Sequence, residues 1–326
     1  MKSILTAIAD LTRAAALVLA AVSAALALAA MGGLVSDRLD ILTHFAPLWL
    51  AGAALASLAW LASGRRGRLT PVLAAAGALA SLTLVAPEVL APRSDAGVDG
   101  ERLKVVQFNL WGRNRDPRAT ARWILETDPD VVVLEEAFAR SGGVVQALRR
   151  RYPHRTTCAE PWPCSTMILS KRRPVAEGGL SPTVSHAGLA GAWATFADAR
   201  GRYTVVGIHY TWPWPAGPQQ QMTRRLAEVL ARFPKDRLIV AGDFNSTPWS
   251  YSLRRQDRTF GLERRTRALA SWPAGAVSRL NLAAPFPLLP IDHVYAGEAW
   301  RTLEARRGPA LGSDHYPVVV TLVPAR

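Results

Sequence analysis

The sequence predicts an α/β (α+β) four-layer sandwich, with two packed mixed β-sheets flanked by helices, preceded by three transmembrane helices. Two observations lead to this expectation. Apolar stretches without a charged residue fill most of the first hundred positions, whereas the rest of the 326 residues alternates β-branched and aliphatic runs with amphipathic segments. Such an alternation is typical of sheets covered by helices.

The apolar stretches predict membrane-spanning helices at about 14–35, 41–63 and 69–86. Each is long enough as a helix to cross, or nearly cross, a hydrocarbon core of roughly 30 Å. A cleaved signal peptide would stand alone, and a soluble Ala-rich bundle, the alternative, would need a polar face on its helices. We therefore expect a membrane domain at 1–91, a linker at 92–100 and a globular domain at 101–326.

Basic residues predict the orientation of the membrane domain. Lys2 and Arg13 precede the first stretch, and Arg65, Arg66 and Arg68 separate the second from the third. Cytoplasmic loops carry an excess of Lys and Arg, so three crossings place the globular domain on the far side, in the periplasm or outside the cell. The stretches contain no Asp, Glu, Lys or Arg that would mark a polar pathway, which argues against a transporter.

Cys158 and Cys164 are the two cysteines of the chain and bracket a loop of five residues. In an oxidising compartment this loop could close as a disulfide, as expected of an exported domain. Two unrelated thiols are the alternative.

Almost all of the net charge of +14 lies in the globular part, which holds 32 Lys and Arg against 19 Asp and Glu. Such a surface attracts polyanions, either nucleic acid or anionic phospholipid headgroups. A solvated Arg-rich surface without a dedicated partner is the alternative. The sequence points to no protein partner.

Within the globular part, hydrophobic periodicity predicts ten elements. Strands are expected where short β-branched or aliphatic runs occur, and helices where apolar residues recur at helical spacing. The predicted helices are 117–126 and 219–232, and the predicted strands are 103–108, 131–134, 166–169, 192–196, 203–209, 238–241, 291–295 and 318–322.

Polar clusters follow or open several of these strands. Gly242-Asp243-Phe244-Asn245, Ile291-Asp292-His293 and Ser313-Asp314-His315 occur late in the chain, and Asn109, Glu136 and His209 end earlier strands. Hydrolysis of a phosphoester needs a divalent cation, an activated water and donors for the nonbridging oxygens, and these residue types supply all three. Taken singly, each cluster could be a turn or a helix cap, and His293 is expected to be structural.

Six motifs in order carry a resemblance to a known family. They are Gln107-Phe108-Asn109, Val133-Leu134-Glu135-Glu136, Ile208-His209, Gly242-Asp243-Phe244-Asn245, Ile291-Asp292-His293 and Ser313-Asp314-His315-Tyr316-Pro317. Together they strongly resemble the endonuclease/exonuclease/phosphatase (DNase I-like) superfamily over about residues 101–324. That superfamily includes nucleases, inositol polyphosphate phosphatases and neutral sphingomyelinases.

The resemblance implies a metal site. Glu136 would be the principal ligand of Mg²⁺, with Mn²⁺ as the alternative ion, Asn109 beside it and Asp314 at or near the metal. Glu135 departs from the commoner family motif, which has Gln there. Because adjacent side chains of a strand alternate, this extra carboxylate could face the opposite side from Glu136.

The resemblance also implies catalytic roles. Asp243 would orient or deprotonate the attacking water, and Asn245 would hold that water or a phosphate oxygen. His315 would contact the scissile phosphate and be oriented by Asp292, while His209 would contact phosphate.

These expectations describe a membrane-tethered, Mg²⁺-dependent phosphoester hydrolase that uses a metal-site water for in-line attack on phosphorus. The basic surface favours a nuclease-like phosphodiesterase, and the tether favours a lipid headgroup phosphodiesterase or phosphatase. The aromatic loop 210–215 could stack on a base, sit at a membrane interface or pack against the domain. From another class, a catalytically silent protein that binds or senses a phosphorylated ligand is the rival.

Overall fold

The chain divides into two compact units, each built from two segments. The first unit contains Met1–Ala91 together with Trp249–Arg254, and the second contains Pro92–Pro248 and Arg255–Arg326. The computed structural model describes residues 2–92, 94–95, 100–159, 166–181, 188–277 and 282–325.

Three helices of the first unit are long and apolar enough to cross a membrane. The first begins well before position 14, because residues 2–13 continue the helix and Asp10 pairs with Arg13 one turn later. The third continues past 86 through Pro87, since proline already has a helical φ. The helices of this unit are α1 (Lys2–Met31), α2 (Asp37–Asp40), α3 (Ala46–Ala62) and α4 (Leu69–Val89), with 3₁₀ segments at Gly32–Leu34 and Ile41–Phe45.

Small side chains form the contacts among the long helices. Ala20, Ala56 and Ala74 make a fully buried cluster, and a Cβ on Gly77 would lie 3.0 Å from the Ala24 amide nitrogen. Helices with such faces approach each other closely, as membrane helices do. Large apolar side chains instead point outward, where a soluble bundle would carry polar groups. Among them are Val18, Leu58 and Leu79.

The short segment Trp249–Arg254 belongs to the first unit through specific hydrogen bonds. The buried Asp40 carboxylate accepts from the backbone amides of Tyr251 and Ser252, both at 2.8 Å. The Trp249 indole donates to the His44 carbonyl at 3.3 Å. Asp40 therefore caps the first turn of helix α8 (Tyr251–Phe260), whose amides have no partner within the helix.

Two six-stranded sheets form the second unit, and they confirm the predicted fold class. The first sheet consists, in spatial order, of β13 (Trp300–Arg307), β14 (Val318–Pro324), β1 (Leu103–Asn109), β2 (Val131–Glu135), β4 (Met167–Ser170) and β3 (His154–Thr157). The second consists of β5 (Ala176–Leu180), β6 (Ala190–Asp198), β7 (Gly201–His209), β8 (Leu238–Asp243), β12 (Asp292–Ala296) and β9 (Glu263–Arg264).

Both sheets are mixed. Strand β1 pairs parallel with β2 and antiparallel with β14, and β7 pairs parallel with β8 and antiparallel with β6. A separate antiparallel pair is formed by β10 (Gly275–Val277) and β11 (Leu282–Ala284).

The main core lies between the two sheets. Val105, Val133 and Val318 of the first sheet and Val205 and Ile239 of the second are fully buried in one cluster. Burial of these side chains favours the folded state by roughly 1.5–3 kcal/mol each relative to exposure. The inner faces are thus held together by close-packed aliphatic residues.

Helices cover the outer faces. Asp116 caps helix α5 by accepting from the Ala119 amide at 2.9 Å, and Ile124 of that helix packs in an outer cluster with Phe108 and Leu134. Helix α7 buries a single face, as its amphipathic sequence predicts. The helices of this layer are α5 (Pro117–Thr127), α6 (Gly142–Leu148), α7 (Pro218–Leu230) and α8, with a 3₁₀ segment at Ala139–Ser141.

Candidate active site

Polar side chains from both sheets meet at one rim of the sandwich. On the second sheet, β7, β8 and β12 bring His209, Asp243 and Asp292 into adjacent register, with Asp243 in the middle. On the first sheet, Asn109 ends β1 beside Glu135 of β2. The Asn109 amide nitrogen donates to Asp243 Oδ2 at 3.0 Å, which joins the two sheets at this rim.

His315 reaches the same place from the loop before β14. The Ser313 hydroxyl donates to the Asn109 carbonyl at 2.7 Å and accepts from the His315 amide at 3.0 Å, which fixes the loop. His315 Nδ1 then lies 2.8 Å from Asp292 Oδ2, and its Nε2 lies 3.7 Å from Asp243 Oδ2. The imidazole therefore sits between two carboxylates.

The charges of this group depend on one another. Burial lowers the pKa of His315, but the carboxylates of Asp292 and Asp243 outweigh it and raise that pKa to about 10. Burial acts to raise the pKa of Asp292, yet the charge and hydrogen bond of His315 lower it. Burial raises the pKa of Asp243 against the effect of His315. The arrangement favours a protonated imidazole at neutral pH.

Glu136 leaves strand β2 in an unusual backbone conformation. Its φ is 51°, in the left-handed region that non-glycine residues rarely adopt. Glu136 Oε2 accepts from the Gly112 amide at 3.1 Å, and Oε1 lies 3.3 Å from the Asn109 amide nitrogen. The Ser141 hydroxyl donates to the Glu136 carbonyl at 2.6 Å, which helps to hold this turn. Strained backbone of this kind is typical of functional sites.

The oxygen ligands at Glu136 suit a hard cation better than the group formed by Asp243, Asp292 and His315 does. Ligand atoms of Asp243, Asp292 and His315 lie within 4.8 Å of one another. A protonated imidazole has no lone pair for a metal, and Asp292 already accepts from His315 and Gln107. Carboxylate oxygens near Glu136 instead match what Mg²⁺ binds.

Asp314 and Asn109 flank this position. Burial raises the pKa of Asp314; His315 opposes that shift and the Glu136 carboxylate adds to it. A divalent cation would neutralise this carboxylate pair. Asn109 turns its amide nitrogen to Glu136 and Asp243 and accepts from the Trp111 amide through Oδ1 at 3.0 Å. Direct ligation by Asn109 stays a prediction.

The loop after β8 places Asn245 beside Asp243. Asp243 Oδ1 accepts from the Asn245 amide at 2.8 Å, and the Asn245 side chain donates to the Tyr210 carbonyl at 2.8 Å. His293 Nε2 lies 2.9 Å from the Ser246 carbonyl, so this histidine ties the loop to β12. Burial, with Arg264 acting in the same direction, lowers the pKa of His293 to about 4. A neutral, enclosed His293 fits the structural role expected of it.

His209 lies at the other side of Asp243, with Nε2 at 3.7 Å from Asp243 Oδ2. Burial lowers its pKa. It is therefore positioned as a neutral donor facing the same carboxylate that His315 approaches.

Two residues that contact the groups of this rim from inside the protein were not predicted to belong to the site. Gln107 donates to both Glu135 and Asp292, and Gln219 donates to the Thr211 carbonyl at 2.6 Å while accepting from the Ser246 hydroxyl at 2.8 Å. A polar residue at an inward position of an apolar strand was the signal available for Gln107. Gln219 had no such signal, since it opens an amphipathic helix.

The sequence matches the family model described as Endonuclease/Exonuclease/phosphatase family over residues 106–315. The chain belongs to this family. Members of the family hydrolyse phosphoester bonds, so the second unit is the enzymatic part of a phosphoester hydrolase. The match includes every predicted site residue and ends just before β14.

Several solved structures have a similar fold, and the similarity extends over nearly the whole length of each. Beta toxin from Staphylococcus aureus with bound magnesium ions is 14% identical in sequence. The alignment covers 68% of this chain and 99% of the toxin chain, with a TM-score of 0.53. Sphingomyelinase C from Streptomyces griseocarneus is 20% identical, with 68% and 99% covered and a TM-score of 0.51. D. rerio TDP2 complexed with a single strand DNA product is 14% identical, with 68% and 99% covered and a TM-score of 0.52. A comparison with curated proteins found no match.

Proposed function

We propose that the protein is a membrane-tethered, Mg²⁺-dependent phosphodiesterase of nuclease type, with its catalytic domain in the periplasm or outside the cell. The domains would be 1–91, a linker at 92–100, and 101–326. The observation that supports the chemistry is the convergence of Asp243, Asp292 and His315 with Glu136 at one rim of the sandwich. The magnesium ions bound to the similar beta toxin support the choice of metal.

Each residue has a task that its position permits. Bound at Glu136, with Asn109 and Asp314 nearby, Mg²⁺ would neutralise charge that develops on the phosphate oxygens. Asp243, whose pKa burial raises, would accept a proton from the attacking water.

The remaining groups hold the substrate and the water. Asn245 would hold the water beside Asp243. His315, kept protonated and oriented by Asp292, would donate to a nonbridging oxygen as negative charge builds up there. His209 would give a second contact to phosphate.

Three features support export and membrane attachment. The long helices of the first unit have apolar outer surfaces, and their basic flanks predict cytoplasmic loops around positions 2–13 and 65–68. Cys158 is disulfide-bonded, a state that persists in oxidising compartments. Cys164, the other cysteine of the chain, lies outside the described residues.

Nucleic acid is the leading substrate class because the catalytic part is strongly basic. A lipid headgroup is the second candidate, and exposed aromatic residues favour it. Trp212 and Trp214 are 46% and 63% exposed, and Trp212 stacks edge-on against Trp272, whose side chain bonds Asp314. Exposed indoles beside a site are suited to a membrane interface. The similarity to a sphingomyelinase and to TDP2 with DNA leaves both classes in view.

The test uses the full chain in detergent micelles with Mg²⁺. Bis(p-nitrophenyl) phosphate, DNA, RNA and sphingomyelin are offered separately, with EDTA and His315→Ala as controls. We expect Mg²⁺-dependent hydrolysis that EDTA and the substitution abolish. Hydrolysis of none of these, or activity unchanged in His315→Ala, would reject the proposal, and a preference for sphingomyelin would select the second candidate.

A further inference from the structure

Two polar side chains lie fully buried between the sheets, below the active-site rim. Gln107 of β1 and Glu135 of β2 are both 0% exposed. Each continues an inward-facing apolar row, since Val105 precedes Gln107 and Val133 precedes Glu135 at the alternate positions of their strands. Polar groups in such a place cost free energy unless hydrogen bonds compensate for the lost water.

The Gln107 side chain donates both of its amide hydrogens to carboxylates. Nε2 lies 2.9 Å from Glu135 Oε2 and 2.8 Å from Asp292 Oδ1. The other carboxylate oxygen of Asp292 accepts from His315 Nδ1 at 2.8 Å. A continuous path of three hydrogen bonds therefore runs from Glu135 through Gln107 and Asp292 to the imidazole.

Hydrogen bonds do not compensate fully for the burial of Gln107 and Glu135, because one oxygen of each side chain is left without a partner among the described residues. Within the described part of the chain, Gln107 Oε1 and Glu135 Oε1 have no hydrogen-bond partner. An apolar pair of similar volume would avoid that cost, so stability alone does not account for these residue types.

We propose that Gln107 and Glu135 are positioning residues for the hydrolysis, which set the orientation of Asp292 and thereby of the His315 ring. The inference rests on the proposed function of the same site. Glu135 requires the nitrogen end of the Gln107 amide to face inward, and that end alone can donate to Asp292. Asp292 is then held through Oδ1, with Oδ2 directed at His315.

Kinetics give the first test. Gln107→Leu keeps the approximate volume and removes both donated bonds; we expect kcat for bis(p-nitrophenyl) phosphate to fall about 10–100-fold with KM little changed. Glu135→Leu should also lower kcat. Glu135→Gln still offers an acceptor, so its kcat should stay within roughly threefold of the wild-type value. Gln107→Asn is too short to reach both carboxylates and replaces Gln107→Leu if that variant does not fold.

A matched control removes a different buried hydrogen bond. The hydroxyls of Thr195 and Thr204 lie 2.9 Å apart between β6 and β7, away from the rim. Thr195→Val should lower the unfolding midpoint without changing kcat. A loss of kcat in Thr195→Val equal to that in Gln107→Leu would assign the effect to general destabilisation and overturn the proposal.

The second test reads the imidazole directly. In chain labelled with ¹⁵N-histidine, the Nδ1 proton of His315 should resonate at low field because of its bond to Asp292, and His315→Gln identifies the signal. We expect the signal to move upfield or disappear in Gln107→Leu and Gln107→Asn and to persist in Thr195→Val. An unchanged signal and kcat in both Gln107 variants would overturn the proposal. If wild type hydrolyses no probe, the function fails, and this resonance still decides the positioning.

Discussion

Asp243 and Asp292 lie directly opposite each other on β8 and β12, with both carboxylates buried. Like charges at facing positions destabilise a sheet pair. His315 lies 2.8 Å from Asp292 and 3.7 Å from Asp243 and so supplies the compensating positive charge. The two aspartates and the histidine thus depend on each other for folding as well as for chemistry.

Removal of the imidazole should therefore affect both activity and stability. We expect His315→Ala to lower kcat by about 10²–10³-fold, as for loss of a hydrogen-bond donor to a developing oxyanion. The uncompensated carboxylates should lower the free energy of unfolding by about 3–5 kcal/mol at neutral pH. Steady-state kinetics and denaturant unfolding measure these effects. His154→Ala, on strand β3, is the control, and an equal loss there would contradict the interpretation.

The same group predicts a dependence of stability on pH, measured in EDTA. The pKa of His315 is raised from 6.5 to about 10, so its contribution is complete below pH 6.5 and is lost as pH rises through about 10. The pKa of Asp292 is lowered from 3.8, so its contribution is present above pH 3.8 and is lost on further acidification. The difference in the free energy of unfolding between wild type and His315→Gln should therefore be largest between pH 3.8 and pH 6.5. A difference that grows from pH 7 to pH 10 would refute this assignment.

Glu136 should control the metal requirement. Glu136→Gln removes the charge that we assign to the principal Mg²⁺ ligand while keeping the side-chain volume. We expect the Mg²⁺ concentration for half-maximal activity to rise at least about tenfold. Substitution of a residue that only hydrogen-bonds to a metal ligand already lowers metal affinity by about 10–100-fold. Glu298→Gln, at an exposed position, should leave the Mg²⁺ titration unchanged. Identical titrations of the two variants would exclude Glu136 as a ligand.

The predicted orientation of the membrane domain can be read with a reporter that is active only outside the cytoplasm. Fused after Arg326, alkaline phosphatase should be active, and fused after Arg66, between α3 and α4, it should be inactive. The reverse pattern would place the catalytic domain in the cytoplasm.

Asp40 should stabilise the start of α8. Asp40→Ala removes the acceptor for the Tyr251 and Ser252 amides and should cost about 0.5–2 kcal/mol, the usual worth of a helix cap. Asp40→Asn keeps an acceptor oxygen and should lose less. Thermal unfolding of the full chain in detergent gives both values; equal midpoints for all three proteins would show that the cap contributes nothing.

Strand prediction succeeded where burial of both faces selects apolar residues. Buried β8 reads as a continuous aliphatic run in the sequence, so its existence was predictable. Edge strand β13 was missed because half of its residues are charged, and only one face is covered, with Trp300 and Thr302 turned inward. Strand β5 is likewise an edge strand and contains two glycines.

The site was predictable as far as its residues occur in motifs at strand ends. The hydrogen bonds between them were not, because Gln107 and Asp292 are 185 positions apart and no local pattern relates them. Helix α8 was missed for a similar reason. Its sequence is polar around most of its circumference, and Asp40, more than two hundred positions earlier, caps its first turn.

The assignment of Trp249–Arg254 to the first unit has a practical consequence for obtaining the enzyme in soluble form. A fragment that begins near residue 100 would carry the 4% exposed Trp249 without the His44 carbonyl that accepts its indole N–H, and α8 without its cap. Proteolytic cleavage between positions 92 and 100 would leave the same defects. A fragment without residues 1–91 should therefore aggregate or refold poorly unless Trp249–Arg254 is redesigned.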